Sequence, residues 1–259
     1  MKQLPFFLAT FILISCSAQV STPKKSEKQK IVTKTISPVD KYYLTHVQDS
    51  VPSESIGSVS NGQLKNGTLI PFSGSNYSYF DSVSYLSGRA FTHRSVAKTL
   101  LTSFSSLDSL LPDRVFKIME CSNKHGGKIY PHRTHQNGMS IDLMMPKKKD
   151  GQPYYGLDNQ GGNHYLLDFD NSGRYTKDSS IIIDFDVLGK QLLDLQTSAK
   201  KSGLRIKKVI LKMELRDELY ASKHGQELKK SGIYITRNLT PIINMLHDDH
   251  FHIDFEIIH

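Results

Sequence analysis

The sequence predicts an α+β fold: a small, largely antiparallel sheet flanked by helices and long loops. Three patterns carry this expectation. Val96, Leu100, Phe104, Leu107 and Leu111 recur at helical spacing, the apolar stripe of a helix packed against a core. His250, His252, Asp254 and Glu256 alternate with Phe251, Ile253, Phe255 and Ile257, the period-two pattern of a strand. Residues 188–199 read as a further helix ending near Gly203, and 206–213 as a further strand. No internal repeat or second folded domain is visible.

Taken from the N-terminus, Lys2 precedes an apolar run from Leu4 to Ile14. That run is far shorter than the roughly 20 residues that cross a bilayer, so residues 1–15 are expected to be a signal peptide. Leu13, Ile14, Ser15 and Cys16 resemble a bacterial lipobox, in which the cysteine carries lipid and anchors the chain to a membrane. Cleavage after Ala18 would instead release a soluble periplasmic protein. Both routes lead out of the cytoplasm, to the periplasm or cell envelope. Residues 16–53 are rich in Ser, Thr, Lys and Gln and poor in large apolar side chains, the composition of a lipidated N-terminus followed by a flexible tether. The remaining stretch, 54–259, is long enough for one hydrophobic core. The sequence holds two cysteines; with Cys16 lipidated, Cys121 has no partner in the chain and is expected to be a buried thiol.

Within 54–259, Thr92 is placed to cap the first helix, which Pro112 stops. Residues 114–121 read as a strand, and a polar loop with Gly126 and Gly127 follows. Residues 139–143 alternate apolar and polar as in a half-buried strand, with Asp142 and Ser140 on its polar face. Lys147–Lys149 reads as a solvated loop. Asp168 to Gly173 begins like a calcium loop, but the twelfth position is Ser179 where a bidentate acid is required, so a turn between strands is expected. Thr240 and Pro241 supply a cap and a first-turn proline for a short helix leading to His247.

Two segments carry the chemistry. His132, His135, Gly138 and Asp142 lie in the first, and His247, His250 and His252 in the second. A single histidine is ordinarily a surface or hydrogen-bonded core residue, but five of the eleven histidines crowd into these two segments beside carboxylates. Two imidazoles and one carboxylate, with a position left for water, are what a catalytic Zn²⁺ needs. Were 135–142 one helix, His135 and Asp142 would stand roughly 10 Å apart along its axis, so a turn must intervene. Gly138 is best suited to provide it, because it tolerates positive φ. His250 and His252, two positions apart on a strand, share a face. The chain therefore reads as a zinc hydrolase whose sheet carries the metal. Ser95 with Lys98, and Ser198 with Lys201, match the S-x-x-K pattern of serine enzymes, but the companion elements do not follow in the required order. A formal net charge of +8 and a pI near 9.3 favour anionic partners such as a cell wall or membrane surface. Neither nucleic acid nor a nucleotide is expected as partner.

The H-x-x-H-x-x-G-x-x-x-D segment followed by H-x-x-H-x-H resembles the penicillin-insensitive murein endopeptidases, within the wider group of lysostaphin-type, D-Ala-D-Ala and hedgehog-like zinc folds. Residues 55–62, the turn with Leu69, Ile70 and Pro71, and Arg89 to His93 resemble the start of that family's domain, so the likeness runs from about residue 54 to the end. The resemblance implies a zinc peptidase domain over 54–259, with zinc ligands His135, Asp142 and His252 and active-site histidines His132, His247 and His250. It further implies peptidoglycan as substrate, cut at the D-alanyl to meso-diaminopimelyl cross-link. Ser140 departs from the family, which commonly has an acidic residue there, and the chain has no Trp. With no H-E-x-x-H glutamate available, His250 is the expected general base, and His132 and His247 would orient groups, donate protons or hold the oxyanion. A related zinc D,D-carboxypeptidase and a non-catalytic, wall-binding zinc lipoprotein remain alternatives.

Overall fold

A computed structural model describes residues 36–47 and 50–258; the signal peptide, the Cys16 lipid anchor and most of the expected tether lie outside the described residues. The first described helix, α1 (Pro38–His46), falls within the expected tether. Its formation follows from local chemistry that composition alone conceals. Ser37 caps it by accepting from the Asp40 amide at 3.2 Å, Pro38 opens it, and Tyr42 packs edge-on against Tyr85 with ring centroids 5.7 Å apart. The tether expectation is therefore corrected for this stretch.

Next come a hairpin of β1 (Glu54–Ser58) and β2 (Asn61–Lys65), then β3 (Thr68–Leu69), β4 (Tyr77–Tyr79), α2 (Ser82–Leu86) and β5 (Phe91–Thr92). The long helix α3 (Arg94–Leu110) leads through β6 (Phe116–Ile118) and an extended loop to β7 (Ser140–Met144). β8 (Lys147–Lys149), β9 (Gln152–Tyr154), a 3-10 turn at Gly161–Leu166, β10 (Arg174–Tyr175) and β11 (Asp178–Ile183) follow. The second long helix, α4 (Phe185–Lys201), is succeeded by β12 (Leu204–Ile210), α5 (Leu215–Ala221), α6 (Lys223–Lys230), α7 (Pro241–Met245) and β13 (His250–Ile257).

Five strands form the main sheet in the order β12-β13-β7-β6-β4, antiparallel except where β4 runs parallel to β6. A second sheet, ordered β10-β11-β8-β9, lies alongside. The fold is α+β, as the alternation of strand and helix signals predicts. α3 and α4 pack on each other and α4 packs on β12, so Val96, Leu100, Phe104, Leu107, Leu188, Leu192 and Leu195 enter one core with Leu143, Phe251 and Ile253. Among the described residues no helix is long and apolar enough to cross a membrane.

Several local expectations shift. His93, not Thr92, caps α3, its Nδ1 accepting from the Ser95 amide at 3.2 Å; Thr92 lies in β5 and donates its hydroxyl to the Gly138 carbonyl at 2.7 Å. α4 starts three residues early because Asp184 caps it. β7 has no solvated face: all five of its residues are buried, because β13 covers one edge and β6 the other while helices and loops cover its faces. The run Lys147–Lys149 is a strand rather than a solvated loop. Lys147 is 2% exposed, and its ammonium donates to the Met145 carbonyl at 3.1 Å and to Asp158 at 3.2 Å. Three consecutive lysines look solvated only until the period-two alternation of a strand turns one of them inward. At Asp168–Gly173 a turn forms as expected, Asp170 accepting from the amides of Ser172 and Arg174 at 2.8 and 2.9 Å. Cys121 is a free, fully buried thiol, and burial pushes its pKa well up.

Candidate metal centre

β7 and β13 are adjacent, and their register places His252 directly opposite Asp142, with Asp254 opposite Ser140. Directly opposed residues on one face stand about 5 Å apart at Cβ, close enough for both side chains to reach one point. The third participant arrives from the loop before β7. His135 sits there with φ +67°, a left-handed backbone that costs a non-glycine residue roughly 1–2 kcal/mol. Its surroundings hold it in that conformation. The Ser122 hydroxyl donates to the His135 carbonyl and accepts from the Gly138 amide at 3.0 Å. Gln136 donates its amide to Val59 at 2.9 Å, tying the loop to the β1–β2 hairpin. Gly138, at φ +76°, makes the turn expected of it; a Cβ there would stand 2.8 Å from the His93 amide nitrogen and from the Leu64 side chain.

The result is a close cluster of donor atoms. His252 Nδ1 lies 2.7 Å from Asp142 Oδ1 and 3.1 Å from His135 Nε2, and His135 Nε2 lies 3.2 Å from Asp142 Oδ2. Two ligands each about 2.0–2.1 Å from a tetrahedral ion stand roughly 3.3 Å apart; the two separations from His135 are close to that, and the 2.7 Å contact of His252 with Asp142 is a hydrogen-bond distance that would widen around a divalent cation. His132 Nδ1 is 3.4 Å from Asp142 Oδ2, and His132, His135 and Asp142 also offer donor atoms within 4.8 Å of one another. His135, Asp142 and His252 are all at least 98% buried. Burial alone would neutralise Asp142, but the flanking rings of His135 and His252 hold its carboxyl well below the ordinary range. Burial likewise opposes charge on His252, yet Asp142 and Asp254 push it up to about 9. The cluster thus favours positive charge at its centre, which a bound cation satisfies as protons do.

Outer partners fix the ring of His252. Its Nε2 donates to Asp254 Oδ1 at 2.7 Å, so it is Nδ1 that faces Asp142 and His135, and a cation bound there would take its lone pair on displacing the proton. Asp254 in turn accepts from Ser140 Oγ at 2.6 Å and pairs with Lys208 at 2.9 Å. Ser140 is therefore a hydrogen-bond donor to the carboxylate that orients His252.

All six singled-out side chains gather here. His132, His247, His250 and His252 line one groove of about 250 Å³, together with Arg133, Tyr165, Ile210, Ile242, Ile243 and Leu246; His135 and Asp142 lie buried beneath it. The rings run in two files. His135 is 4.9 Å from His132 and 4.7 Å from His252, and His250 is 4.9 Å from His247 and 5.4 Å from His164. His247 donates Nδ1–H to the Ile243 carbonyl at 2.6 Å, so its other nitrogen is free for the groove. Burial pushes His132 and His247 down to about 3, so both are neutral at ordinary pH. For His250, burial is outweighed by the Asp249 carboxylate, which holds the ring above its ordinary value.

Three contributors escape the motifs. Asp249 bonds His250 Nδ1 at 2.7 Å, His164 Nδ1 reaches the other Asp249 oxygen at 3.0 Å, and Tyr165 Oη is 3.2 Å from His132 Nε2. His164 and Tyr165 come from the 3-10 turn, whose sequence carries no periodicity and no spacing linking it to either histidine segment. Asp249 stands inside the second segment, but only the fold shows which of its two aspartates faces the rings.

No curated protein matches the chain. A family model described as penicillin-insensitive murein endopeptidase matches residues 55–257, from β1 through the end of β13. That stretch contains the sheet, the loop bearing His135 and every side chain of the groove, and by it the chain belongs to the penicillin-insensitive murein endopeptidase family.

Proposed function

We propose that the chain is a zinc-dependent peptidoglycan endopeptidase that hydrolyses the D-alanyl to meso-diaminopimelyl cross-link. The observation that carries the zinc reading is the mutual approach of His135 Nε2, Asp142 and His252 Nδ1 to 2.7–3.2 Å. His252 is preferred to His132 as third ligand because its nitrogen is closer to both partners and its remaining nitrogen is already engaged by Asp254. His132 instead has one nitrogen at Tyr165. The bond specificity rests on family membership.

Held by His135, Asp142 and His252, Zn²⁺ would supply Lewis acidity and make water a better nucleophile near neutral pH. The chain supplies the rest. Asp249 holds His250 through Nδ1, which leaves Nε2 to accept the proton of the attacking water and pass it to the leaving amine. His132 and His247, both neutral, border the same space: His132 is held between Asp142 and Tyr165, and His247, its Nδ1–H spent on the Ile243 carbonyl, offers the groove an Nε2 lone pair that can accept a substrate N–H. Ile210, Ile242, Ile243 and Leu246 give the groove an apolar wall, beside which each polar contact is stronger than in open water.

A wall substrate places the enzyme in the cell envelope. Anchoring through a lipid on Cys16 would keep it beside that substrate.

Purified sacculi and dimeric muropeptides should yield monomers with the zinc-loaded protein. A chelator should abolish release and Zn²⁺ should restore it. Cutting monomeric stem peptides in preference to dimers would instead mark a D,D-carboxypeptidase, and release that persists undiminished in chelator would defeat the metal reading. Asp254→Asn should weaken zinc affinity by about 10–100-fold, the usual effect of losing an outer partner of a ligand histidine. Metal titration against a competing chelator reads this directly, and an unchanged affinity would remove Asp254 from the site.

A further inference from the structure

Asp249 is 1% exposed and each of its two carboxylate oxygens is taken by a different imidazole: His250 Nδ1 donates to Oδ1 at 2.7 Å, and His164 Nδ1 donates to Oδ2 at 3.0 Å. The two rings stand perpendicular, 87° apart. His164 is itself 1% exposed, and Phe80 meets its ring edge-on at 5.6 Å. Its Nε2 is buried without a hydrogen-bond partner, so Asp249 is the one polar anchor of this ring among the described residues. A buried carboxylate accepts only; it binds two imidazoles at once only when both carry the proton on Nδ1. The backbone reinforces the arrangement, since the Met145 amide donates to the Asp249 carbonyl at 3.0 Å. The residue after His164, Tyr165, reaches His132 across the groove, so one turn of 3-10 helix touches both sides of the site.

We infer that His164 is a positioning residue for the hydrolysis, clamping the free oxygen of Asp249 so that His250 is held as its Nδ1–H tautomer with Nε2 toward the groove. This rests on the proposed role of His250 as general base. Without His164, Asp249 Oδ2 is buried with no donor. The carboxylate can then rotate, and the ring of His250 loses its fixed plane, as general-base catalysis cannot tolerate. Neither His164 nor Asp249 itself lines the groove or belongs to the three proposed ligands, so the clamp acts on turnover more than on binding.

Two variants separate the donor from the bulk of the ring. An asparagine side chain places an amide N–H close to the position of a histidine Nδ1–H, whereas leucine fills the space with no donor. With zinc-loaded protein and dimeric muropeptides, His164→Leu should lower kcat by about 10–100-fold with KM within about two-fold and one zinc per chain retained. His164→Asn should recover most of kcat. Long-range ¹H–¹⁵N spectra of the unsubstituted protein should show the proton of His250 on Nδ1, a result that does not require any variant to fold. Full kcat in His164→Leu, equal loss in the leucine and asparagine variants, or an Nε2–H tautomer at His250 would each overturn the inference. So would a second metal per chain that disappears in His164→Leu, because the cluster would then be a ligand set. If the unsubstituted, zinc-loaded protein releases no product, the proposed function fails, and the tautomer measurement still decides the clamp.

Discussion

On the proposed zinc site, His252→Ala and His135→Ala should each yield a folded protein that no longer binds zinc and no longer cuts murein. Both side chains are buried beside Asp142 and their loss lowers stability, but neither belongs to the apolar core, so far-ultraviolet circular dichroism at 25 °C should stay at the level of the unsubstituted protein. Metal per chain, read by elemental analysis after dialysis, falls from one to near zero. Product release falls by more than the roughly 100-fold that bounds the loss of an outer partner. A second readout is thermal. A ligand that binds only the folded state stabilises it by about 2.7 kcal/mol at 100 times its dissociation constant, so Zn²⁺ should raise the Tm of the unsubstituted protein and leave that of both variants unmoved. A variant that kept stoichiometric zinc and full turnover would show that the convergence of His135, Asp142 and His252 has another purpose.

Lys147→Met should produce the largest loss of stability of any single change in the second sheet. The side chain of Lys147 is fully buried and that of Asp158 is 9% exposed. Taking the ammonium away leaves a carboxylate in the interior with only the more distant Lys117 to offset it. Breaking a buried pair in this way costs about 3–5 kcal/mol, measurable by urea unfolding at neutral pH. The pH dependence has a definite sign. Burial raises the Asp158 carboxyl above its unfolded value of 3.8, against the opposing pull of Lys147. The folded form then binds more protons than the unfolded form between the two values, so stability falls as pH rises through that interval. The Lys147→Met deficit should accordingly be greatest at neutral pH and shrink as pH is lowered toward 4. Adding Asp158→Asn should restore much of the loss. A deficit under about 1 kcal/mol, or one equal at every pH, would mean that the pair is not coupled as the distances indicate.

What the sequence discloses about this molecule divides along physical lines. β13 is legible because its alternation is unbroken from His250 to Ile257, and the turn before β7 is legible because Gly138 is needed to bring His135 back toward Asp142. Long amphipathic helices announce themselves in the same way. Features that depend on a partner distant in the chain do not. Nothing around His164 signals that it meets Asp249 eighty-five positions later. Nothing in three consecutive lysines signals that Asp158 waits for the first of them. β7 reads as half-buried because its own pattern cannot reveal the cover over its second face. α1 is missed for a different reason: it rests on a cap and a tyrosine contact, and a composition count over 37 or so positions averages both away. The left-handed backbone at His135 is likewise invisible, since it is imposed by Ser122 and the β1–β2 hairpin and is contrary to the preference of the residue itself.

The pairing of β7 with β13 has a consequence for when this protein can act. His252 meets Asp142 across 110 positions of chain and His135 across 117, so closing the centre is among the most non-local events in the fold. Bringing ends so far apart in the chain together carries a loop-closure entropy that local contacts do not. A chain in which β13 has not paired with β7 therefore holds the pieces of a wall-cutting centre without the centre itself, and activity arrives only with that pairing.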